Sequence, residues 1–293
     1  PRAQSEGHSS PHPNGNHHLL KYTIMNAEIL SSAFYIYLYV MIGIAAIVFV
    51  ALYFVDASYG AFTKKTWGKT INNKLAWFLM EFPIFLAMLI IWLCSPHRFE
   101  IVPMVFLLIF EIHYFQRSLI FPWLMKGKKS QMSLSVMFMG IAFNILNAMM
   151  QGYWIFFESF KCNYHVLGLS YSDLAWLKSP QFIIGTIIFF FGFFVNLRSD
   201  YIIRHLRKSD DDNNHYLPKG FMFNYVTSAN YLGELTEWLG FAILTWSLSG
   251  LVFFIWTFAN LVPRAHAIYK RYKTEFGPEM EAKNLKRVFP FIY

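Results

Sequence analysis

The sequence predicts an all-α, multi-pass integral membrane protein with seven transmembrane helices, and three observations support this fold class. Hydrophobic residues make up 56% of the 293 residues and charged residues only 14%, whereas soluble domains carry about 25% charged residues. Apolar segments long enough to cross a bilayer recur along the chain. Lysines and arginines are concentrated in every second connection between those segments. Together these features exclude a soluble globular protein.

Seven apolar segments define the expected transmembrane helices. Each provides about 20 residues once its interfacial flanks are included, the length that a helix needs to span the hydrocarbon core. The segments are 33–55, 75–94, 101–125, 134–157, 182–195, 229–246 and 248–262. The fifth is short and the last two nearly touch, so six spans, with the last two fused or one segment re-entrant, are the alternative.

The distribution of positive charge predicts the orientation, because lysine and arginine collect on the cytoplasmic side of a membrane. Connections 56–74, 126–133, 198–226 and 263–293 together carry 19 of these residues, and the alternate connections with the leader carry 5. This pattern predicts an extracytoplasmic N-terminus and a cytoplasmic C-terminus, which requires an odd number of spans. It also accounts for the net charge of +8 without nucleic-acid binding.

The polar residues 1–26 show no periodicity and are expected to form a flexible leader or a foreign tag remnant. The leader holds His8, His12, His17 and His18, but no cysteine or fixed spacing accompanies them, so we predict no metal site. Residues 27–293 are expected to form a single membrane domain. Cys94 and Cys162 both fall on the outer side, where a disulfide could form, but two cysteines without a pattern are expected to be free thiols.

Polar residues recur at helical spacing where the fifth segment ends and where the sixth begins. Residues that share one face of the first helix are Asn196, Asp200, Arg204 and Arg207, and those of the second are Asn230, Glu234 and Glu237. An uncompensated charge inside a membrane helix costs about 2.5–3.5 kcal/mol, so these faces predict a site for a charged cofactor. The alternative is that Asp200 and Glu234 pair with Arg204 or Arg207 and only join the helices.

A second polar cluster lies in the third segment, where Tyr114 and Arg117 are three residues apart. The preceding segment carries Glu81 two residues before Pro83, which bends a helix or frees a carbonyl group. An apolar environment favours the neutral, protonated carboxyl group, which can donate a hydrogen bond. A neutral acid beside a phenol would polarise a ketone oxygen and stabilise the enolate formed when hydride adds to a conjugated alkene. The alternative is a Glu81–Tyr114 hydrogen bond that serves packing alone.

Several sequence blocks, in order over residues 76–293, resemble the membrane steroid 5α-reductase family. The blocks are AWFLMEFP, IHYFQRSLIFP, MQGYW, NLRSDYIIRHLRK, YLPKGFMFNYVTSANYLGELTEWLGFAILTWSL, PRA and the terminal FPFIY. This resemblance implies a seven-helix enzyme that transfers hydride from NADPH to C5 of a 3-oxo-Δ4 steroid. It also implies a mainly substrate-binding half at 33–157 and a mainly NADPH-binding half at 180–293. The expected location is the endoplasmic reticulum membrane in a eukaryote or the inner membrane in a bacterium.

The resemblance further implies roles for individual residues. Glu81 and Tyr114 are the expected catalytic residues that bind and polarise the 3-keto oxygen, with Trp77 and Arg117 as further substrate contacts. The expected NADPH contacts are Asn196, Asp200, Arg204, Arg207, Tyr216, Asn230, Glu234, Arg264 and Tyr272, and Glu237 and His266 are further candidates. Two positions depart from the family pattern, because Met80 stands where relatives often carry glutamine and the last helix lacks a customary histidine.

The residues and the resemblance agree that the cofactor is held by helix side chains. No GxGxxG motif follows a strand and no P-loop occurs, while a 2′-phosphate and a diphosphate require cations such as Arg207 and Arg264. The expected partners are a steroid or related lipid substrate and membrane lipid, with no nucleic acid and no obligate protein partner. The alternatives are a reductase of another lipid enone (enoyl thioester or polyprenol type), a membrane methyltransferase, and a transporter or sterol-binding protein.

Overall fold

The computed structural model describes residues 14–55, 68–127, 129–209, 211–212 and 214–293. Within these ranges the protein is built from nine α-helices: α1 Asn14–Phe54, α2 Asn73–Cys94, α3 Ile101–Phe115, α4 Phe121–Leu124, α5 Leu134–Tyr153, α6 Ser159–Lys161, α7 Pro180–Leu206, α8 Ala229–Thr245 and α9 Leu248–Ala282. Two π-helical segments, Gln116–Ile120 and Trp154–Glu158, and two 3-10 segments, Leu174–Lys178 and Phe221–Asn224, connect some of them. The all-α prediction is confirmed.

Among the described residues, six helical stretches are long and apolar enough to cross a membrane, which confirms a multi-pass membrane protein. They are Met25–Phe54, Asn73–Cys94, Ile101–Leu124, Leu134–Lys161, Pro180–Leu206 and Leu248–Ala282. Helix α8 corresponds to the sixth predicted segment but has only 17 residues and is not among these six. It is separate from α9, since Trp246 adopts a left-handed conformation with φ 47° between them. The seventh span and the orientation of the termini stay predictions.

The chain separates into two compact units, residues 1–40 and 41–293, with the division inside α1. Helix α1 begins at Asn14, so the second half of the predicted leader is helical. The leader expectation for residues 1–13, with His8 and His12, lies outside the described residues, as do the side chains of His17 and His18. Cys94 and Cys162 are both free thiols.

A short antiparallel strand pair fixes the starts of α2 and α5. Strand β1, Thr70–Asn72, pairs with strand β2, Gln131–Ser133, with Ile71 opposite Met132. Each strand leads directly into its helix through a capping side chain, because Asn72 Oδ1 accepts the Lys74 backbone N–H at 3.0 Å and Ser133 Oγ accepts that of Ser135 at 3.2 Å. Such caps satisfy backbone donors at a helix start. This strand pair therefore fixes the position of α2 relative to α5.

Helices α7 and α8 form a tightly packed antiparallel hairpin. A Cβ atom on Gly192 would lie 2.6 Å from the Gly233 carbonyl oxygen, and one on Gly185 would lie 2.7 Å from that of Gly240. Only glycine permits backbones to approach this closely, and small residues at helix contacts are typical of membrane proteins. The close contact brings the polar residues of the two helices to one place.

Candidate active site

Arg117 lies at the centre of a buried charge cluster that joins three helical segments. Its Nη1 donates to Asp200 Oδ2 at 2.8 Å, and its Nη2 donates to Glu234 Oε2 at 3.4 Å. Asp200 comes from α7 and Glu234 from α8, so the single guanidinium group bridges the hairpin. Arg117 and Asp200 are each about 7% exposed, which makes this an ion-pair network screened little by solvent.

Aromatic rings cover the faces of the same guanidinium group. The Arg117 Cζ atom lies 4.5 Å from the centre of the Phe121 ring and 5.5 Å from that of Trp77. A planar guanidinium group stacks favourably on aromatic faces. Trp77, predicted as a substrate contact, therefore also forms part of the Arg117 environment.

A π-helical turn places Arg117 in this position. The segment Gln116–Ile120 closes with the Phe121 backbone N–H bonded to the Gln116 carbonyl oxygen, one residue wider than in an α-helix. Pro122 follows immediately and has no N–H to donate to Ser118. Because π-turns shift the residues that follow around the helix axis and are frequent at functional sites, Pro122 offers a local cause for the direction of Arg117.

The alternative drawn from the sequence, in which Arg204 or Arg207 pairs with the carboxylates of α7 and α8, identified the wrong arginine. Asp200 and Glu234 do pair with an arginine, but it is Arg117 rather than Arg204 or Arg207. Arg204 lies over the Tyr201 ring at 5.7 Å, and Arg207 donates from Nη1 to the Lys126 carbonyl oxygen at 2.8 Å. The spacing along α7 identifies a polar face, but it does not identify which other helix covers that face.

A buried histidine–carboxyl pair lies beside the cluster. His113 Nδ1 is 2.7 Å from Glu237 Oε1, and both side chains are at most 3% exposed. The His113 ring packs edge to face against Tyr114 and Trp238, at 4.9 and 4.6 Å between centres. The pairing fixes the orientation of the ring next to Tyr114.

The two predicted catalytic residues are both in the interior, on neighbouring helices. Tyr114 on α3 is 3% exposed, and Glu81 on α2 is half-buried. Glu81 and Glu234 both lie close enough to Tyr114 to interact with it electrostatically, and Arg117 lies close enough to interact with Glu81. The carboxyl group, the phenol and the charge cluster therefore belong to one polar site.

Three carboxamides on one face of α5 border this site, and sequence reasoning did not single them out. Asn144 Nδ2 donates to the Met80 carbonyl oxygen at 2.7 Å and to Glu81 Oε2 at 3.3 Å. Gln151 Nε2 donates to the Ser249 carbonyl oxygen at 2.9 Å and to Asn147 Oδ1 at 3.2 Å. Their spacing, i, i+3 and i+7 in an apolar segment, was the signal that could have identified them.

Asn147 is oriented by these bonds. Because Gln151 donates to its oxygen, the amide nitrogen of Asn147 points the other way. This buried Nδ2 has no hydrogen-bond partner among the described residues, and Tyr114 is a neighbouring polar side chain. The arrangement presents an N–H donor toward the phenol.

Unpartnered polar atoms also collect where α7 meets the start of α8. Asn196 Nδ2 donates to the Asn230 carbonyl oxygen at 2.9 Å. Within the described part of the chain, Asn196 Oδ1, Ser199 Oγ and Ser228 Oγ are buried without a hydrogen-bond partner. Buried polar atoms are normally satisfied, so a cluster of this kind fits a polar ligand. Asp200 follows Ser199 directly in α7, and Glu234 shares the Arg117 side chain with Asp200. Both carboxylates therefore lie beside these unpartnered atoms.

The other predicted cofactor residues lie farther along the chain. Tyr216 donates to Asp212 Oδ2 at 3.0 Å, and the backbone N–H groups of Lys208 and Asn214 donate to the same carboxylate. These hydrogen bonds hold the pKa of Asp212 below its usual range. Tyr272 packs beside the buried Leu217, Met280 and Leu285. The half-buried Arg264 lies on α9, one residue before the buried Ala265.

The fold and this site define a multi-pass helical membrane protein with ionisable side chains assembled in its interior. Comparison with known proteins identifies it further. A sequence profile described as 3-oxo-5-alpha-steroid 4-dehydrogenase matches residues 130–293. The chain belongs to this family of oxidoreductases, which confirms the resemblance drawn from the motifs.

Individual relatives match over most of their length. Steroid 5-alpha-reductase DET2 of Gossypium hirsutum is 37% identical over 255 residues, 85% of this chain and 93% of the relative. The 3-oxo-5-alpha-steroid 4-dehydrogenase 1 of Mus musculus is 34% identical, with 85% and 92% covered. The 3-oxo-5-alpha-steroid 4-dehydrogenase 2 of Sus scrofa is 33% identical, with 85% and 94% covered.

Proposed function

We propose that the protein reduces the Δ4 double bond of 3-oxo-Δ4 steroids to 5α-reduced 3-oxosteroids, with NADPH as the reductant. The observation that carries the proposal is the placement of Glu81 and Tyr114 in one polar site, where Asn144 donates to Glu81 and Asn147 neighbours the phenol. A carboxyl group and a phenol at one buried site suit the polarisation of a ketone oxygen. The relatives are named for the 5α-reduction of steroids and for a 3-oxo-5α-steroid.

The residues present fit a phosphorylated dinucleotide. The unpartnered Asn196 Oδ1, Ser199 Oγ and Ser228 Oγ suit the amide and hydroxyl groups of such a cofactor, beside Asn230, Asp200 and Glu234. Arg204, Arg207 and Arg264 would hold its phosphates, with Tyr216 and Tyr272 as neighbouring contacts. NADPH, when bound, supplies the hydride.

The side chains of this chain perform the rest of the reaction. Tyr114 donates its hydroxyl hydrogen to the ketone oxygen and stabilises the negative charge that develops there. Asn147 donates from Nδ2 to the phenol oxygen, which stabilises that oxygen as its hydrogen shifts toward the substrate.

Glu81 is the second donor to the ketone oxygen. Its Oε2 accepts the hydrogen bond from Asn144, so a protonated Glu81 presents its other oxygen as an O–H donor. The substrate carbon next to the carbonyl takes its proton from solvent or from a relay.

Arg117 keeps Asp200 and Glu234 fixed at the boundary between the two halves, with Trp77 over its face. The surrounding aromatic residues exclude water, which strengthens each of these electrostatic interactions.

In this proposal α8 forms the seventh span and the C-terminus is cytoplasmic. The membrane is the endoplasmic reticulum in a eukaryote or the inner membrane in a bacterium.

The test is NADPH oxidation by the purified protein across a panel of substrates, with the products identified. We expect turnover of a 3-oxo-Δ4 steroid with a 5α product, and none with the matching 3-hydroxy-Δ4 steroid, because that compound lacks the ketone. NADH should support much slower turnover because it lacks the 2′-phosphate. Faster reduction of an enoyl thioester than of any steroid would contradict the proposed substrate class.

A further inference from the structure

A pocket lies between the end of α1 and the C-terminal half of α9. It has a volume of about 250 Å³ and is bordered by Tyr53 of α1 and by His266, Lys270, Arg271 and Thr274 of α9. This volume is below the roughly 300–1,000 Å³ of pockets that hold drug-sized ligands. The pocket therefore suits a small head group rather than a whole dinucleotide or a steroid.

The charge of the pocket is positive. Arg271 is balanced by Glu275, at 2.8 Å between Nε and Oε1, but within the described ranges Lys270 makes no ion pair. Arg287 Nε donates to His266 Nδ1 at 2.9 Å. Because a guanidinium group can only donate, His266 accepts at Nδ1, and its other ring nitrogen carries the hydrogen. The pocket thus offers an exposed ammonium group and an imidazole donor to an anion.

The pocket lies beside the end of a candidate membrane span. The candidate span in α1 ends at Phe54, directly after Tyr53, and tyrosine is enriched where a membrane meets water. The same end of α1 exposes apolar side chains, since Val50 is 56% and Phe54 84% exposed. Acyl chains can lie against such a surface while a head group occupies the basic pocket beside it.

Apart from His266, the residues that line the pocket differ from those proposed for the candidate active site. His266, Lys270 and Thr274 recur at intervals of four residues and share one face of α9. Arg264 and Tyr272, the residues of α9 proposed to contact the cofactor, do not line the pocket. The pocket is therefore formed by other side chains than these proposed cofactor contacts.

We propose that this pocket binds the phosphate group of an anionic membrane lipid. Lys270 supplies the ion pair, His266 supplies a hydrogen-bond donor, and Tyr53 forms the wall on the side of α1. Basic pockets between membrane helices are suited to lipid head groups, and each basic residue near the membrane surface contributes to attraction of anionic lipid. The assignment does not depend on the proposed reaction.

The experiment measures lipid binding to the full chain in phosphatidylcholine nanodiscs, titrated with phosphatidic acid and followed by native mass spectrometry. Lys270→Glu reverses the charge in the pocket and should weaken phosphatidic acid binding by about tenfold or more. Lys273→Glu is the matched control, because Lys273 is exposed on the same helix and does not border the pocket. It should bind the lipid as the wild type does. Lys270→Gln, with an expected intermediate loss, replaces the reversed-charge variant if that variant does not fold.

Three results would overturn the assignment. Equal loss in the Lys270→Glu and Lys273→Glu variants would show a general surface-charge effect. Displacement of the lipid by millimolar inorganic phosphate, with equal binding of phosphate in lipid-free detergent, would make the ligand a soluble phosphate. A tenfold weaker NADPH affinity in Lys270→Glu with unchanged lipid binding would place the pocket in the cofactor site. Failure of the steroid assay would leave the lipid result unaffected.

Discussion

Replacing Arg117 with methionine should destabilise the protein strongly, because the substitution keeps most of the side-chain volume and removes the charge. Asp200 and Glu234 would then remain in the interior with no cation at 2.8 and 3.4 Å. Breaking a buried ion pair by removing one partner costs about 3–5 kcal/mol. For a chain of this size the loss corresponds to a fall in unfolding midpoint of about 6–20 °C.

The measurement is thermal unfolding of the purified protein in detergent, with Arg198→Met as the control. Arg198 is exposed on α7, so the same substitution there should leave the midpoint nearly unchanged. Adding Asp200→Asn to Arg117→Met should recover part of the loss, because one uncompensated carboxylate is removed. An Arg117→Met midpoint equal to that of the wild type would refute the view that this cation balances the buried carboxylates.

The remaining predictions concern packing, the phenol donor and a surface loop. Gly192→Leu should separate α7 from α8 and cost about 1–3 kcal/mol or more, whereas Gly43→Leu, at a position with open space around it, should leave the unfolding midpoint unchanged. Asn147→Leu should lower kcat with the steroid and leave NADPH affinity intact in a binding titration; an unchanged kcat would remove this residue from the mechanism. Folding lowers the pKa of Asp212. Its carboxylate therefore stabilises the loop at neutral pH, and this stabilisation is lost as pH falls through the lowered pKa. Asp212→Asn at pH 7 should accordingly raise hydrogen exchange around Tyr216. Unchanged exchange in that variant would show that the carboxylate does not order the loop.

Sequence patterns predicted the polar faces but not their partners. Helical spacing correctly placed Asp200 and Glu234 on faces that meet, and it placed Arg117 near Tyr114. The choice of Arg117 as the shared cation depends on the π-turn before Pro122, and that turn is outside what regular periodicity can predict. Spacing within one helix gives a direction, whereas the identity of the opposing residue is a property of the tertiary fold.

The amides of α5 show a second limit of predicting functional residues from the sequence alone. Asn144 and Asn147 are uncharged and occur in an apolar segment, so each passes for an ordinary contact between membrane helices. Their significance becomes clear only from their hydrogen bonds to Glu81 and Gln151. The seventh span stays a prediction, since α8, which covers the predicted segment 229–246, has only 17 residues and packs closely against α7 through glycines.

The most direct test of the central claim is the steady-state kinetics of Tyr114→Phe and Glu81→Gln with a 3-oxo-Δ4 steroid, alongside a separate NADPH binding titration. We expect each variant to lower kcat/KM by about 100-fold or more, the usual effect of losing one donor to a developing oxyanion, while the Kd for NADPH stays within about twofold. Wild-type kcat/KM in both variants would contradict the assignment of these two side chains to the ketone oxygen.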